Sequence, residues 1–154
     1  ISVFSPSSDE MKTELTTVEV NEIFNKPELK IKAFKLKEDC FYNKEMQMIE
    51  TRIIAICPVS VNGTDLFWLY YPNLRPSLAK SEIDIDNNSI SIKSLEDLFF
   101  YRQFNSMIYK ESNVYDREIL DYMDVNEIKN ESEGIEVEMI KKELDMWTYD
   151  PKNK

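Results

Sequence analysis

The chain has 154 residues, with 19 Lys or Arg against 29 Asp or Glu, and its formal net charge at pH 7 is −10. This length fits one domain, and a composition of 42% hydrophobic and 12% aromatic residues is sufficient for a buried core. The absence of histidine excludes Ser-His-Asp sites, Cys-His sites and histidine-ligated metals. Because Gly63 and Gly134 are the only glycines, the chain cannot contain a Walker loop or a G-x-G-x-x-G turn.

The acidic balance also limits the kinds of partner that the chain can bind. Nucleic acids are bound mainly through Lys and Arg, and an anionic membrane surface attracts basic segments, so we expect neither as a partner. Apolar runs such as Ile53 to Cys57 are far shorter than the roughly 20 residues that span a bilayer, and no basic and apolar leader is visible. We therefore expect no membrane insertion. Since the chain begins with Ile1, we expect a processed or trimmed product.

The first third of the chain predicts an arm followed by a short helix. Residues 1–15 lack a regular apolar pattern and are predicted to form a flexible lead-in arm. Thr16 or Thr17 can serve as the N-cap of a helix that Pro27 stops. The apolar positions of this helix are Val18, Val20, Ile23 and Phe24. A single domain is predicted over residues 16–150, with a tail at 151–154.

The middle of the chain has the alternation of β-strands. Apolar residues recur at every second position from Leu29, with a one-residue slip between Ala33 and Phe34 that a bulge would absorb. Asn62 and Gly63 both tolerate positive φ and predict a tight hairpin turn. Strands are predicted from Leu29 to a turn at residues 43–45, over residues 46–61, and over residues 66–71. The simplest product is an antiparallel meander of three strands.

Two more strands and three helices are predicted in the rest of the chain. Glu82 to Ile85 and Ile90 to Ile92 can add short edge strands around a turn at Asp86-Asn87-Asn88, and residues 73–80 are predicted to be a connection. Ser94 with Asp97 predicts an N-cap. Helices are predicted from Leu95 to about Ile108, from about Asn113 to Met123, and from about Ile135 to Trp147, the last with Val137, Ile140, Leu144 and Trp147 facing inward. The order of strands before helices indicates the α+β class, an antiparallel β-meander of three to five strands followed by C-terminal helices.

The chemistry-bearing residues give few enzymatic signals. Hairpin geometry places Cys40 opposite a residue near Met48, so Cys40 and Cys57 are predicted to be free thiols. Carboxylate pairs recur along the chain, but adjacent acids are expected by chance in so acidic a sequence, and nothing selects one pair for a hydrolase. No cofactor or metal is predicted. Arg102 and Arg117 lie in apolar segments, where a guanidinium is expected to pair with a buried acid.

The aromatic run at residues 67–71 is the most apolar part of the predicted sheet. In a strand, Phe67, Leu69 and Tyr71 face one way, and Trp68 and Tyr70 face the other. One interpretation assigns both faces to the core of the protein. The other assigns one face to an interface, either with a protein or, through Trp68 and Tyr70, with a carbohydrate.

Three blocks of sequence together resemble a known family. They are LKEDCFYNKEMQMIETRIIAICP at residues 36–58, FWLYYPNLRPSLA at residues 67–79, and LEDLFFYRQFNSMIYKESNVYDREI at residues 95–119. Their order and spacing are similar to those of GldN, also called PorN, a component of the type IX secretion system of the Bacteroidetes. The ending KKELDMW, residues 141–147, is similar to the C-terminal helix of that family. Cys40 departs from the bulky aromatic residue expected at that position.

The resemblance implies a non-enzymatic periplasmic subunit associated with the outer membrane. Family members carry a signal peptide and a further N-terminal region, so the resemblance implies that this chain is the C-terminal portion. It also implies three kinds of partner: the lipoprotein GldK (PorK) in a ring, the periplasmic part of GldM (PorM), and further copies of the chain. The candidate partner-binding residues are Trp68, Tyr70, Tyr109, Asn113, Tyr115, Asp116 and Arg117, because Tyr and Arg are frequent interface anchors. The alternative function is a cell-envelope carbohydrate or peptidoglycan-binding module.

Overall fold

Four antiparallel strands form the main sheet of the protein. The computed structural model describes residues 1–7, 10–26, 29–87 and 90–148. The strands are β1 (Val3–Phe4), β2 (Ile31–Asn43), β3 (Met48–Ser60) and β4 (Trp68–Tyr70), and their order in the sheet is β1-β4-β3-β2. The predicted three-strand meander is therefore present as β2, β3 and β4. The segment predicted as a lead-in arm contains β1, whose Val3 and Phe4 pair with Leu69 and Trp68.

The described residues form two compact units. One unit comprises Ile1–Phe41 and Thr51–Gln103, and the other comprises Tyr42–Glu50 and Phe104–Lys154. The β2–β3 hairpin contributes its tip to the second unit. Together the strands and helices confirm the α+β class. The domain boundaries predicted from the sequence stay a prediction.

The core of the first unit lies around the middle of β3. Three consecutive residues of this strand, Ala55, Ile56 and Cys57, are all buried, which is typical of a strand covered on both faces. Trp68 packs against Ala55 and Cys57, and only 2% of Trp68 is exposed. Phe4 packs against the same cluster. The N-terminal segment is therefore part of the packing of the sheet.

The first helix of the chain begins at a predicted N-cap. Helix α1 (Thr17–Phe24) has Thr16 as its N-cap, and the Glu19 carboxylate accepts a hydrogen bond from the Thr16 backbone N–H at 2.8 Å. The Glu19 N–H in turn donates to the Thr16 Oγ1 atom at 3.4 Å, so this reciprocal capping box satisfies two of the free N–H groups at the start of the helix. The helix ends at Phe24, and Pro27 lies outside the described residues.

The segment predicted as a connection contains helix α2 (Tyr71–Leu78), so this prediction was wrong. Pro72 occupies the first turn of the helix. At that position the missing N–H needs no acceptor, and the fixed φ of proline already suits the helix. Pro76 is tolerated within this short helix.

The two predicted edge strands pair with each other in a separate two-stranded sheet, so their placement at the edge of the meander was wrong. They are β5 (Glu82–Asn87) and β6 (Ile90–Ser94), and Asn88 of the predicted turn lies outside the described residues. Ile85 pairs with Ile92, which is 1% exposed. Hydrogen bonding between the two strands satisfies the backbone groups on their facing edges and does not require the main sheet.

Helix α3 (Leu95–Phe100) begins at Ser94 as predicted but ends much earlier than Ile108. The Ser94 side chain accepts a hydrogen bond from the Asp97 backbone, and the Asp97 carboxylate accepts one from the Ser94 backbone. After Tyr101 the chain enters a left-handed conformation at Arg102, where φ is 51°. This conformation ends a helix, and the Arg102 guanidinium instead reaches the Glu38 carboxylate at 2.8 and 3.2 Å. Arg102 therefore pairs with an acid as predicted, but the Glu38 side chain is 22% exposed and is not the buried acid that was expected.

The second unit contains one long helix, α4 (Ile128–Thr148), which begins earlier than predicted. Its buried face includes Ile128 and Ser132. The predicted inward face was wrong, because Val137, Ile140 and Leu144 are 47%, 55% and 53% exposed, and the side chain of Trp147 lies outside the described part. The helix predicted at residues 113–123 was also wrong, since only a 3₁₀ turn at Ile119–Asp121 forms there. The Asn113 side chain holds the backbone of this segment in a loop.

Candidate partner-binding site

A hydrogen-bonded loop at residues 109–122, called here the Asn113 loop, contains five of the seven predicted partner-binding residues. Its centre is the Asn113 side chain. The Asn113 Oδ1 atom accepts hydrogen bonds from the backbone N–H groups of Tyr115 and Arg117 at 3.1 and 3.0 Å. The Nδ2 atom donates to the backbone oxygens of Glu111 and Arg117 at 3.0 and 2.8 Å. This one amide therefore makes four hydrogen bonds to backbone, which explains why the segment does not continue as a helix.

Asp116 closes the turn in a left-handed conformation. Its φ is 52°, and its backbone N–H donates to the Asn113 carbonyl oxygen at 3.1 Å. Asp tolerates this conformation better than most residues because its short polar side chain can bond locally. The Asp116 carboxylate forms an ion pair with Lys110, whose side chain is only 17% exposed. The turn is thus fixed by backbone, amide and charge interactions together.

Arg117 lies against two aromatic rings of the loop. The guanidinium carbon is 4.8 Å from the ring centre of Tyr115 and 5.6 Å from that of Tyr122. Such cation–π contacts orient a guanidinium without removing its five hydrogen-bond donors. Arg117 was predicted to pair with a buried acid, and the contacts that the structure places on it are aromatic. Val114 is 96% exposed and Tyr115 is 75% exposed, so the loop presents apolar, aromatic and cationic groups side by side.

The base of the loop is anchored in the second unit. Ile119 is 1% exposed, and its N–H donates to the Tyr109 carbonyl oxygen at 2.8 Å. The chain just before the loop is attached to α4, because the Ile108 N–H donates to the buried Ser132 hydroxyl at 2.7 Å. Burial raises the pKa of Tyr122, and the nearby carboxylates of Glu131 and Glu111 raise it further. The Tyr122 phenol therefore stays neutral beside Arg117 at physiological pH.

The remaining two predicted residues lie on β4, away from this loop in sequence. Trp68 belongs to the core of the first unit, with 2% of its surface exposed, whereas Tyr70 is 38% exposed. A buried indole cannot offer its face to a sugar ring, so the structure does not favour the carbohydrate platform. The assignment of all seven residues to partner binding stays a prediction.

Sequence reasoning missed three residues of the loop: Lys110, Val114 and Tyr122. Lys110 lies inside the sequence block at residues 95–119 and Tyr122 lies three residues after it, so an interpretation of Asn113 as a turn residue would have grouped both with Asn113. Val114 was passed over because one apolar residue among polar ones gives no periodic signal. The exposed fraction of Val114 could not be predicted without the loop geometry.

The acids and cysteines of the described residues lie in structural positions. Among the described residues, no group of three or more Cys, Asp or Glu side chains is placed to hold a metal ion. Hydrogen bonds lower the pKa of Glu19 and of Asp97, through the Thr16 backbone and the Ser94 side chain respectively. Both acids are helix caps, and a general acid of a hydrolase needs a raised pKa instead. Cys40 and Cys57 are both free, and Cys57 is buried.

The fold and the loop define a mixed α+β protein that presents a rigid, aromatic and cationic turn. In the part of the chain that the structure describes, no helix has both the length and the apolar character needed to cross a membrane. Residues 2–148 match the family described as gliding motility associated protein GldN. The chain therefore belongs to the GldN family, and the resemblance seen in the sequence is confirmed. No curated protein sequence matches the chain.

Proposed function

We propose that the chain is a non-enzymatic structural subunit of the type IX secretion and gliding motility machinery, which acts in the periplasm, at the outer membrane, by binding other proteins. Membership of the gliding motility family supports this function. The single observation that carries the binding mechanism is the Asn113 loop. Its turn holds Val114, Tyr115 and Arg117 in place before any partner arrives.

The loop has the physical properties of an interface anchor. Binding costs conformational entropy for every side chain and loop that must be ordered, so a turn that is already fixed loses less on association. Arg and Tyr are over-represented among the residues that contribute most to binding energy. Arg117 can donate hydrogen bonds to a partner carboxylate while its stacking on Tyr115 keeps it oriented.

The partner that we propose for this loop is the lipoprotein GldK, with which the chain would form a ring. A closed ring needs two different surfaces on each subunit, because head-to-tail contacts are heterologous. A further surface would contact the periplasmic part of GldM. In this account the strands and helices of the subunit form a rigid support that holds its interfaces at fixed angles.

Co-purification with the lipoprotein tests this proposal. Arg117→Glu and Tyr115→Ala should each reduce the amount of GldK retained by the tagged chain. Arg52→Glu is the matched control, because the Arg52 guanidinium also lies over an aromatic ring, 4.3 Å from the centre of Phe41, and Arg52 is also exposed. If the control reduces binding as much as Arg117→Glu, net charge and not the Asn113 loop governs association.

A further inference from the structure

Helix α4 carries a second apolar face that the fold leaves uncovered. Val137, Ile140 and Leu144 are spaced by three and four residues, so they form one stripe along the helix. Their side chains are 47%, 55% and 53% exposed. We call these three residues the α4 stripe. An isolated exposed apolar residue is ordinary, but a periodic stripe on a stable helix marks a contact surface.

The opposite face of the same helix is already satisfied, so the α4 stripe cannot become buried by rotation of the helix. Ile128 is 8% exposed and Ser132 is 3% exposed, and both lie on that face. The Glu143 carboxylate also accepts a hydrogen bond from the Ile49 N–H at 3.2 Å, which connects α4 to the tip of the β2–β3 hairpin. These contacts fix which side of the helix faces outward.

The charges beside the α4 stripe indicate what kind of partner covers it. Glu133 lies one turn before Val137, and Glu136 lies one turn before Ile140, so both carboxylates border the stripe. Lys129 approaches Glu133 at 3.7 Å, but these side chains are 81% and 61% exposed, so the two solvated charges offset one another only weakly. Lys141 is one further cation beside the stripe. The helix as a whole is acidic, like the chain, whose net charge is −10.

We propose that the α4 stripe is a docking site for a basic amphipathic helix of a partner protein. Such a helix places apolar residues at helical spacing against the stripe and Lys or Arg beside Glu133 and Glu136. A second copy of this chain would bring acidic flanks to acidic flanks, and an anionic membrane would repel the same carboxylates. The inference does not rest on the proposed function, because it uses no property of the Asn113 loop or of the family.

A designed peptide can test this docking site on the intact 154-residue chain. The probe is a fluorescein-labelled peptide of about 18 residues, long enough to form a helix, with Leu at helical spacing and Lys between. A second peptide has the same Leu positions and Glu in place of Lys. Fluorescence anisotropy should show saturable binding of the Lys peptide, weakened by added salt, and at least tenfold weaker binding of the Glu peptide.

Three variants separate the contribution of the α4 stripe from general hydrophobicity and from charge. Leu144→Gln should weaken binding of the Lys peptide by about tenfold, since it removes a central apolar contact. Ile31→Gln is the matched control, because Ile31 on β2 is 48% exposed and Leu144 is 53% exposed, and it should leave binding unchanged. Gln is a good helix former, and circular dichroism will confirm that α4 is retained. Glu136→Lys should weaken binding of the Lys peptide and strengthen binding of the Glu peptide.

Four results would overturn the proposal. They are equal binding of the two peptides, equal weakening by Ile31→Gln and Leu144→Gln, a dimer of the chain that Leu144→Gln dissociates, and binding to phosphatidylglycerol vesicles that Leu144→Gln abolishes. The third result would assign the α4 stripe to a second copy, and the fourth would assign it to a membrane. Sedimentation velocity and vesicle flotation with the same variants measure these two outcomes.

Discussion

The Asn113 side chain is bonded to both backbone groups of Arg117. It accepts a hydrogen bond from the Arg117 N–H at 3.0 Å and donates one to the Arg117 carbonyl oxygen at 2.8 Å. This pairing resembles the exchange between two residues of adjacent strands, with an amide side chain in place of a backbone. Asn113 therefore fixes the backbone of Arg117 and, through it, the position of the Arg117 guanidinium. Asn113 can have this effect without touching a partner.

Substitution of Asn113 should loosen the turn. Asn113→Ala removes all four hydrogen bonds, and we expect a loss of about 2 kcal/mol in the free energy of unfolding, because each bond contributes about 1 kcal/mol at most on an exposed loop. Asn113→Asp keeps the two accepted bonds and loses the two donated ones, so its effect should be intermediate. Urea unfolding measures both values. Asn130→Ala, at an exposed position on α4, is the control, and an equal loss there would contradict the account of the turn.

Ser132 should be required for the attachment of the loop to α4. Ser132→Ala leaves the Ile108 N–H without its acceptor beside a buried position, which typically costs about 1–3 kcal/mol. Thermal and urea unfolding should show this destabilisation, whereas Ser106→Ala, at an exposed position, should have little effect. A Ser132→Ala variant as stable as the unmodified chain would mean that the hydrogen bond contributes nothing.

The Arg102–Glu38 pair should contribute measurable coupling. The two groups form a bidentate arrangement at 2.8 and 3.2 Å, and the Glu38 side chain is only 22% exposed. A double-mutant cycle with Arg102→Gln and Glu38→Gln should give a coupling of about 1 kcal/mol. The same cycle on Lys129 and Glu133 should give about 0.3 kcal/mol, since these side chains are 81% and 61% exposed. Equal couplings in the two cycles would contradict this ranking.

Titration of the Cys57 thiol should lower the free energy of unfolding at alkaline pH. Burial, and to a smaller extent the nearby Asp65 charge, raises the pKa of its thiol from 9.0 to about 11. The folded protein therefore holds this proton more tightly than the unfolded chain does. The stability that results is fully present below the unfolded pKa and is lost as the pH rises through about 11, with a slope of at most about 1.4 kcal/mol per pH unit.

Substitution of Cys57 isolates its contribution to the alkaline loss of stability. Cys57→Ala should remove this part of the alkaline loss, so the difference in unfolding free energy between the unmodified chain and the variant should shrink as the pH rises above about 9. Tyr71, whose pKa is also raised by burial, titrates equally in both proteins and cancels. Cys40→Ala, at an exposed thiol, should follow the unmodified chain. A constant difference between Cys57→Ala and the unmodified chain would contradict the shifted pKa.

Local signals in the sequence predicted the parts of the fold that depend on neighbouring residues. Thr16 with Glu19, and Ser94 with Asp97, cap helices because each pair needs only one turn of backbone to form. The meander was also predictable, since β3 is a long β-branched run and Gly63 provides a residue with φ of 80° in the turn that follows. These features need no information from distant parts of the chain.

Other features depend on tertiary contacts that the sequence does not specify. Helix α4 has two faces with apolar residues at helical spacing, and the contact of Ser132 with Ile108 decides which one is buried. Similarly, Asn113 was placed in a helix because its four backbone hydrogen bonds are invisible in a periodic pattern. The grouping of Tyr115 and Arg117 into one candidate surface was predictable from their proximity, whereas the burial of Trp68 depends on packing against Ala55.

Hydrogen exchange of the chain with and without the purified periplasmic lipoprotein GldK tests the central claim most directly. We predict that the backbone N–H groups of Tyr115 and Arg117 exchange at least about tenfold more slowly in the complex, because a partner seated on the Asn113 loop suppresses its local opening. Protection should disappear in Arg117→Glu at the same lipoprotein concentration. Binding of the lipoprotein with unchanged exchange throughout residues 109–122 would contradict the claim that this loop is the interface.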